Sequence, residues 1–151
     1  GTLDVAIDGA DEISASKHLT KGGGAALLLE KIVAYNAARF FVVADESKAV
    51  EHLGTAFALP VEVIAEARTS VTAALAALGA SVSLREAVIT DNGNLILDCR
   101  WPLNADGSSP ADPAALESKI NAIVGVVENG FFTKNIPTVY IAHSDGTVER
   151  R

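Results

Sequence analysis

Two short stretches near the start of the sequence hold residue types that could carry chemistry. The first, Asp8–Glu12, reads Asp-Gly-Ala-Asp-Glu, and the second, Lys21–Gly24, is a lysine followed by three glycines. Acids on a tight turn can accept hydrogen bonds from hydroxyl groups, and a lysine beside glycines can bind an anion. Together they predict a site for a small anionic molecule that is rich in oxygen atoms.

Asp8 and Asp11 stand three residues apart on the acidic turn, so both side chains can point into one cleft. Two carboxylates that lie close together do not ionise equally, and one can hold a proton while the other stays charged. Such a pair suits hydrogen bonding to sugar hydroxyls, or passing a proton to a ring oxygen. The same spacing is typical of an Asx turn with loop or helix capping, and spacing alone leaves both interpretations open.

The glycines after Lys21 allow backbone N–H groups to approach a ligand, and the N-terminus of a following helix favours an anion. The segment is not a Walker A loop, because the lysine precedes the glycines and no Gly-Lys-Ser or Gly-Lys-Thr follows. A flexible loop with a solvated lysine is the alternative.

Glu30 is an acid inside an otherwise apolar helical stretch. At helical spacing it shares a stripe with three apolar residues, Ala26, Val33 and Ala37. A carboxylate on such a face is partly desolvated, which suits a general base near neutral pH. An ion pair with Lys31 or Lys21, or a place at the exposed edge of the helix, would also explain this residue.

A strand, a helix and a second strand are predicted around these residues. Leu3–Ile7 predicts a buried strand, Ala25–Phe40 a deeply buried helix that is apolar nearly all round, and Phe40–Ala44 another buried strand. This βαβ unit implies a parallel sheet, whose ligands bind beyond the carboxyl ends of its strands. We therefore expect Asp8–Asp11, the Lys21 loop and the segment after the second strand to meet at one edge of the sheet.

The segment after the second strand, Asp45–Lys48, ends in Lys48, which could supply a second positive charge to the site. An exposed lysine at the start of a helix is the other interpretation. The residues between the two motifs, Glu12–Thr20, are polar and predict irregular structure.

A different pattern begins after Pro60. It predicts strand, helix, two strands, helix and strand over Val61–Ile64, Glu66–Leu78, Ser81–Ile89, Leu95–Arg100, Asp112–Ala122 and Val124–Glu128. A turn at Asp91–Asn94 joins the paired strands, a polar loop covers Pro102–Pro110, and Asp112 with Pro113 is a typical helix start. This β-α-β-β-α-β order is typical of a ferredoxin-like domain.

The expected fold class is therefore α/β. We predict a Rossmann-like parallel sheet, incomplete at its N-terminal side, over residues 1–57 and 130–151, and a smaller ferredoxin-like α+β domain over residues 58–129. The tail, Pro137–Val148, predicts two strands around a turn that pair with the first domain.

Composition excludes several classes of function. The net charge of −7, without a cluster of lysines and arginines, argues against nucleic acid and anionic membranes as partners, and no apolar run reaches the ~20 residues of a membrane span. The one cysteine, Cys99, lies in a strand-like run and predicts a buried structural thiol in a reducing compartment. The three histidines, His18, His52 and His143, share no metal-ligand spacing and predict surface or capping residues.

Three motifs, in this order and spacing, resemble type A ribose-5-phosphate isomerases. They are Asp8-Gly9-Ala10-Asp11-Glu12, Lys21-Gly22-Gly23-Gly24-Ala25-Ala26-Leu27-Leu28 with Glu30-Lys31, and Asp45-Glu46-Ser47-Lys48. Leu59–Val63, Thr90–Asn94 and the segment from Ile120 to Val127 are also similar to the family. The resemblance therefore covers nearly the whole chain.

This resemblance implies an aldose–ketose isomerase of the pentose phosphate pathway. It would interconvert ribose 5-phosphate and ribulose 5-phosphate through an enediol, with no metal and no cofactor. By the resemblance, Glu30 moves the proton between C1 and C2, Asp8 and Asp11 handle ring opening and hydroxyl contacts, and Lys48 binds substrate. The residues Lys21, Gly22, Gly23 and Gly24 would bind substrate and stabilise the developing oxyanion, with Gly9 and Ala10 lining the same site. A homodimer or homotetramer in the cytoplasm, or in a plastid if the source is a plant or alga, is the expected setting.

The sequence departs from the family pattern at Leu29, where relatives often carry a charge, at a longer exit from the hairpin over Cys99–Pro110, and at its start. The family has a preceding segment with a phosphate-binding loop. This sequence begins at Gly1 without methionine, so we interpret it as a fragment or a processed product. We therefore expect weak or no isomerase activity from the 151-residue chain alone.

Two other functions are compatible with parts of the pattern. A sugar-phosphate-sensing domain of the same architecture would need the binding groups but no base, so Glu30 distinguishes it from an enzyme. A related phosphosugar deaminase or lactonase is disfavoured, because its expected histidine pattern is absent from the sequence.

Overall fold

Eleven strands and three α-helices occupy residues 1–109 and 112–151, the part of the chain that the computed structural model describes. In chain order they are β1 (Leu3–Asp8), β2 (Glu12–Ile13), β3 (Leu19–Thr20), α1 (Leu27–Tyr35), β4 (Ala37–Asp45), β5 (Leu59–Val63), α2 (Arg68–Ala77), β6 (Ser81–Leu84), β7 (Leu95–Arg100), α3 (Pro113–Asn121), β8 (Val126–Asn129), β9 (Phe131–Phe132), β10 (Thr138–Ala142) and β11 (Val148–Arg150).

The predicted parallel sheet is confirmed. Its strand order is β1-β4-β10-β11, in which β1, β4 and β10 are parallel and β11 returns antiparallel to β10, as predicted for the tail. Asp8 pairs in register with Val42, and Asp45 pairs with Ala142, so the carboxyl ends of all three parallel strands lie at one edge. The acidic turn leaves the sheet from that edge.

Helix α1 is shorter than the prediction of Ala25–Phe40. It ends at Tyr35, and Ala37–Phe40 instead belongs to β4, because these residues pair with β1. Tertiary pairing thus overrides the helical propensity of the alanines. One member of the predicted stripe around Glu30, Ala37, therefore does not lie on the helix.

The predicted burial of α1 and β1 is wrong in part. In α1, Leu27, Lys31 and Ala34 are buried, whereas Leu29, Ile32 and Val33 are each nearly half exposed. Strand β1 is an edge strand with Ala6 buried and with Ile7 70% exposed. Among the described residues, no strand pairs with its outer edge. The exposed apolar residues Leu3, Val5 and Ile7 alternate along the strand and therefore share one face, opposite to that of Ala6.

The segment predicted to be irregular contains two short strands. β2 and β3 pair with each other, and β3 pairs with β9, so Glu12–Thr20 forms a small antiparallel sheet with Phe131 and Phe132. Ile13 and Leu19 are fully buried in it. Strands of two residues leave no periodicity in a sequence, and the tertiary contact with β9 creates them.

The second predicted pattern forms an antiparallel sheet of order β6-β7-β5-β8, which confirms the ferredoxin-like arrangement. Helices α2 and α3 supply Val71, Leu75, Leu116 and Ile120 to the core of this sheet. The Asp112 side chain caps α3 by accepting a hydrogen bond from Ala115 N–H at 2.9 Å, as its sequence predicts.

Strand bounds in the second half differ from the prediction, and β8 begins at Val126 rather than Val124. Strand β6 ends at Leu84 rather than Ile89, because the chain turns through Ala87 with a φ of 57°. The predicted loop over Pro102–Pro110 is described as far as Ser109, and Pro110 and Ala111 lie outside the described residues. The division into domains at residues 57–58 and 129–130 stays a prediction.

Candidate active site

The acidic turn begins where β1 ends. Asp8 is the last residue of β1, and its Oδ1 accepts a hydrogen bond from Gly9 N–H at 2.8 Å. Asp11 is held to β3 because its N–H donates to the carbonyl of Thr20 at 2.9 Å. This hydrogen bond comes from the next residue rather than from the second, so it is not an Asx turn, and the carboxylate of Asp8 reaches the cleft, since its side chain is 40% exposed.

Lys21 is the buried charge at the centre of the site. Its side chain is 4% exposed, and its Nζ lies 3.0 Å from Oδ2 of Asp8 and 3.3 Å from Oε2 of Glu30. The same Nζ donates to the carbonyl of Gly9 at 2.6 Å. The structure therefore excludes a solvated lysine and joins the turn, the glycine loop and helix α1 through one ammonium group.

The glycine loop is shaped by its neighbours. Gly22 has a φ of 101°, and a Cβ built there would come within 2.8 Å of both Leu27 and Pro60, so a side chain does not fit. Gly23 N–H donates to Oδ2 of Asp11 at 2.8 Å. The loop therefore lies close against the acidic turn and leads directly into α1.

Glu30 lies on the first turn of α1, with its side chain 26% exposed. Its Oε2 faces Lys21 but makes no hydrogen bond with the described residues. Lys31, the other lysine considered as its partner, is turned instead to Glu117 and Glu128. A partly desolvated carboxylate with unused hydrogen-bonding capacity, beside a cation, has the properties of a proton acceptor.

All the residues predicted for the site line one cavity of about 310 Å³. They are Asp8, Gly9, Ala10, Asp11, Lys21, Gly22, Gly23, Gly24, Glu30 and Lys48. Lys48 enters from the short turn after β4, which Asp45 caps by accepting hydrogen bonds from Ser47. The expected meeting of three separate segments at one sheet edge is thus observed.

The supporting roles of two residues, Glu12 of the acidic turn and Arg85, could not be predicted from the sequence. Glu12 is 1% exposed, and its carboxylate accepts hydrogen bonds from the N–H groups of Gly54, Ala56 and Phe57 at 2.6 to 2.9 Å, which holds the loop before β5. Arg85 donates to the carbonyls of Gly22 and Gly23. Neither contact leaves a local sequence signal, because the partners lie more than forty residues apart.

A second cavity, of about 360 Å³, lies away from these residues. Its lining is Gly54, Thr55, Ser81, Arg100, Trp101, Pro102 and Leu103. It is slightly larger but contains no carboxylate, and its one charged side chain, Arg100, donates to the carbonyl of Thr55. It offers no group that could move a proton, so the candidate site remains at the sheet edge.

No group of three or more His, Cys, Asp or Glu residues within the described part of the chain is arranged to hold a metal ion. Across residues 1–109 and 112–151, no helix is both long and apolar enough to cross a membrane. Cys99 is buried, as predicted. The ring of His143 links two carboxylates. Its Nδ1 lies 2.9 Å from Oε2 of Glu46, and its Nε2 lies 3.4 Å from Oε2 of Glu149.

Comparison with known proteins identifies similar chains. A sequence model of the family described as ribose 5-phosphate isomerase A (phosphoriboisomerase A) matches residues 1–146. Ribose-5-phosphate isomerase A of Treponema denticola is 59% identical over 155 aligned positions, which cover 99% of this chain and 63% of that protein.

Solved structures agree with this result. The structure of ribose 5 phosphate isomerase A from Neisseria gonorrhoeae is similar with a TM-score of 0.88 at 41% identity, over 99% of this chain and 65% of that one. A D-ribose-5-phosphate isomerase in complex with phospho-erythronic acid is similar with a TM-score of 0.91 at 38% identity, again over 99% of this chain and 65% of the other. The chain thus spans less than two thirds of the length of these relatives. The comparisons give no support to a sensing domain.

Proposed function

This chain belongs to the ribose 5-phosphate isomerase A family, and from that premise we propose that its pocket interconverts D-ribose 5-phosphate and D-ribulose 5-phosphate. The observation that carries the proposal is the contact between Glu30 and the buried Lys21 in the wall of the 310 Å³ cavity. It places a proton acceptor and a cation side by side, which the isomerisation of an aldose requires.

In the proposed reaction, the Glu30 carboxylate removes the proton from C2 of the open-chain aldose. The C–H electron pair forms the C1=C2 double bond, and negative charge moves onto the aldehyde oxygen. Lys21 and the N–H groups of the glycine loop stabilise this charge. After a proton passes from the C2 hydroxyl oxygen to the C1 oxygen, Glu30 returns its proton to C1, and the product is the ketose. The cycle leaves Glu30 ionised again and consumes no cofactor.

The two aspartates divide their roles in this proposal. Asp8 is accessible and linked to Lys21, so it acts on the ring oxygen and hydroxyls of the cyclic sugar during ring opening. Asp11 accepts from Gly23 N–H and therefore also holds the glycine loop, while it offers its other oxygen to a hydroxyl group. Lys48 adds a positive charge at the pocket margin.

The charges in the cavity indicate which part of the substrate it holds. Three carboxylates (Asp8, Asp11 and Glu30) and two ammonium groups (Lys21 and Lys48) line it, which gives a net charge of −1. A phosphate dianion would be repelled by this balance, whereas hydroxyl groups would find many acceptors. We therefore place the carbon chain of the sugar in this cavity and its phosphate outside the ten lining residues.

The test is turnover by wild type and by Glu30→Gln, which keeps the shape of the side chain but cannot accept the proton. We expect Glu30→Gln to lower kcat by about a thousandfold while the dissociation constant for ribose 5-phosphate changes by less than about threefold. Glu66→Gln, an exposed glutamate far along the chain, is the matched control and should keep wild-type rates. A Glu30→Gln variant with wild-type kcat would refute the assigned base.

The assay should use two forms of the protein. One is the 151-residue chain, and the other is this chain fused to the part of the Treponema denticola relative that lies outside the match, since the chain spans 63% of that relative. Deuterium uptake from D₂O into the sugar detects slow proton transfer in either form. Binding of phospho-erythronic acid, whose planar carboxylate resembles an enediolate, reports on the site independently of turnover. If neither form isomerises ribose 5-phosphate, the proposed function is wrong.

Two further expectations accompany this function. We propose a homodimer or homotetramer, which light scattering after gel filtration would measure. We also propose a place in the cytoplasm, in the pentose phosphate pathway, which follows from the family rather than from the geometry.

A further inference from the structure

Arg85 reaches from the antiparallel β6-β7-β5-β8 sheet to the glycine loop of the site. It follows β6, and its Nε and Nη2 donate to Oδ2 and Oδ1 of Asp98 at 2.9 and 2.5 Å. Its Nη1 donates to the carbonyl oxygens of Gly22 and Gly23 at 3.1 and 3.0 Å. One guanidinium group thus connects a carboxylate on β7 with two consecutive peptide groups of the loop.

These contacts determine where the N–H groups of the loop point. In a trans peptide, the carbonyl and the N–H that follows it point in opposite directions. The Gly22 carbonyl faces Arg85, and the N–H of Gly23 accordingly points the other way, to Asp11 at 2.8 Å. The Gly23 carbonyl also faces Arg85, so the Gly24 N–H points away from it. That N–H makes no hydrogen bond with the described residues, and Gly24 lines the cavity.

The Gly22–Gly23 peptide group has further partners, because Ala25 N–H donates to the Gly22 carbonyl at 3.0 Å and Gly23 N–H donates to Asp11, but the Gly23–Gly24 peptide group makes no other hydrogen bond with the described residues. A Cβ built on Gly24 would meet no atom within 4 Å, so the space on that side of the residue is open. Consecutive glycines have wide conformational freedom, and an unrestrained peptide group here could rotate. The Arg85–Asp98 pair is suited to prevent this rotation, because its bidentate hydrogen bonds fix the plane of the guanidinium group. Both side chains are also at most 20% exposed.

We propose that Arg85, oriented by Asp98, is a positioning residue for the isomerisation. It aims the Gly24 N–H at the oxygen that becomes negatively charged in the enediolate, without touching the substrate itself. This inference rests on the proposed function and extends it to a residue at the end of β6 in the antiparallel sheet.

The experiment compares Arg85→Gln, Arg85→Lys and Arg100→Gln in whichever form of the protein is active. Arg100 is the matched control, because it also donates from Nη1 to a backbone carbonyl, that of Thr55, but outside the site. We expect Arg85→Gln to lower kcat by about 10- to 100-fold with KM changed less than about threefold, since a misplaced oxyanion donor costs that much. Arg85→Lys keeps the positive charge but cannot form the bidentate hydrogen bonds, so its kcat should lie between those of wild type and Arg85→Gln. Arg100→Gln should stay within about twofold of wild type.

Binding separates positioning from general loosening of the fold. Arg85→Gln should weaken the binding of phospho-erythronic acid about tenfold or more. It should weaken the binding of ribose 5-phosphate less than about threefold, because only phospho-erythronic acid carries the enediolate-like charge. Unchanged kcat in Arg85→Gln overturns the inference. A comparable fall in kcat and in both affinities, with a matching rise in KM, also overturns it, since that result indicates a merely structural role. Should Arg85→Gln fail to fold, Arg85→Lys is judged by the same criteria.

The failure of this inference can be told apart from failure of the proposed function. If wild type isomerises ribose 5-phosphate and Arg85→Gln does so equally well, the function stands and the positioning role is wrong. If wild type is inactive in both forms, the function is wrong. The orientation of the loop is then judged by NMR: in Arg85→Gln, but not in Arg100→Gln, the Gly24 amide signal should shift and exchange faster with solvent. An unchanged Gly24 amide would contradict the orienting contact itself.

Discussion

At the scale of single residues, Lys21 organises the site. It is buried, and its ammonium group contacts two carboxylates and a carbonyl, so the cost of burying its charge is compensated without any bound molecule. The same contacts orient Asp8 and Glu30 toward the cavity. A spacing of nine residues between Lys21 and Glu30 shows no such link by itself, because the loop and the first turn of α1 bring the two side chains together.

Cys99 supports a prediction at this scale. It is fully buried in β7, and burial, together with the neighbouring Asp98 charge, raises the pKa of its thiol to about 12. The thiolate is the reactive form, so Cys99 should not react with Ellman's reagent near neutral pH in the folded protein. One equivalent of thiol should appear only when denaturant unfolds the chain. Rapid labelling in native buffer would contradict the described burial.

At the scale of elements, Gly130 joins the antiparallel β6-β7-β5-β8 sheet to the site. It lies between β8 and β9, donates to the carbonyl of Pro60 at 2.8 Å and accepts from Lys21 N–H at 2.9 Å. A Cβ at this position would lie 2.3 Å from the carbonyl oxygen of Lys21, a backbone atom that cannot rotate away. The close approach of three segments therefore requires glycine here.

Gly130→Ala should lower the free energy of unfolding by about 2 kcal/mol, as expected for overpacking against the backbone. It should also weaken substrate binding, since relief of the clash displaces Lys21. Gly24→Ala is the stability control, because its Cβ would meet nothing within 4 Å, and it should change the free energy of unfolding by less than about 0.5 kcal/mol. Urea unfolding followed by Trp101 fluorescence measures both. Equal stability of the two variants would contradict the described packing.

At the scale of the whole molecule, a buried network joins α1 to the second half of the chain. Lys31 lies 3.2 Å from Glu117 and 2.8 Å from Glu128, and it also donates to the Asn129 carbonyl at 2.7 Å. Burial alone would raise the pKa of Glu117, but the Lys31 charge and the hydrogen bonds from Thr133 and Tyr35 outweigh it, so the pKa is lowered. This contribution to stability is present above the usual carboxyl pKa and is lost as the pH falls through the lowered value.

The link through His143 has the opposite pH dependence. The hydrogen bond to Glu46 raises the pKa of the imidazole above its ordinary value of 6.5, with a smaller contribution from Glu149. The stabilisation is therefore fully present below the unfolded-state pKa and is lost as the pH rises through the folded-state pKa. We expect His143→Gln to lower the melting temperature at about pH 5.5 and to have little effect at about pH 8.5. A difference that is independent of pH would show that the charge of His143 plays no part.

Motifs and long periodic segments could be read from the sequence, whereas contacts between distant segments could not. The parallel βαβ unit, the β-α-β-β-α-β order and the Asp112 cap follow from local patterns and appear in the structure. The end of α1 and the strands of Glu12–Thr20 depend on pairing partners elsewhere in the chain, and the exposure of Ile7 depends on which face of β1 other segments cover. Pairing energy and edge position are tertiary quantities, and no local window contains them.

The same division applies to the site. Residue types and spacing predicted that the acidic turn, the glycine loop and Lys48 meet, because strands of a parallel sheet end at a common edge, and the family resemblance added Gly9 and Ala10 and the roles of these residues. Only the tertiary structure decided which lysine meets Glu30 and that Arg85 and Asp98 hold the glycine loop. The order of residues decides which chemical groups are present. Their partners and orientations arise only when folding brings distant segments within hydrogen-bonding distance.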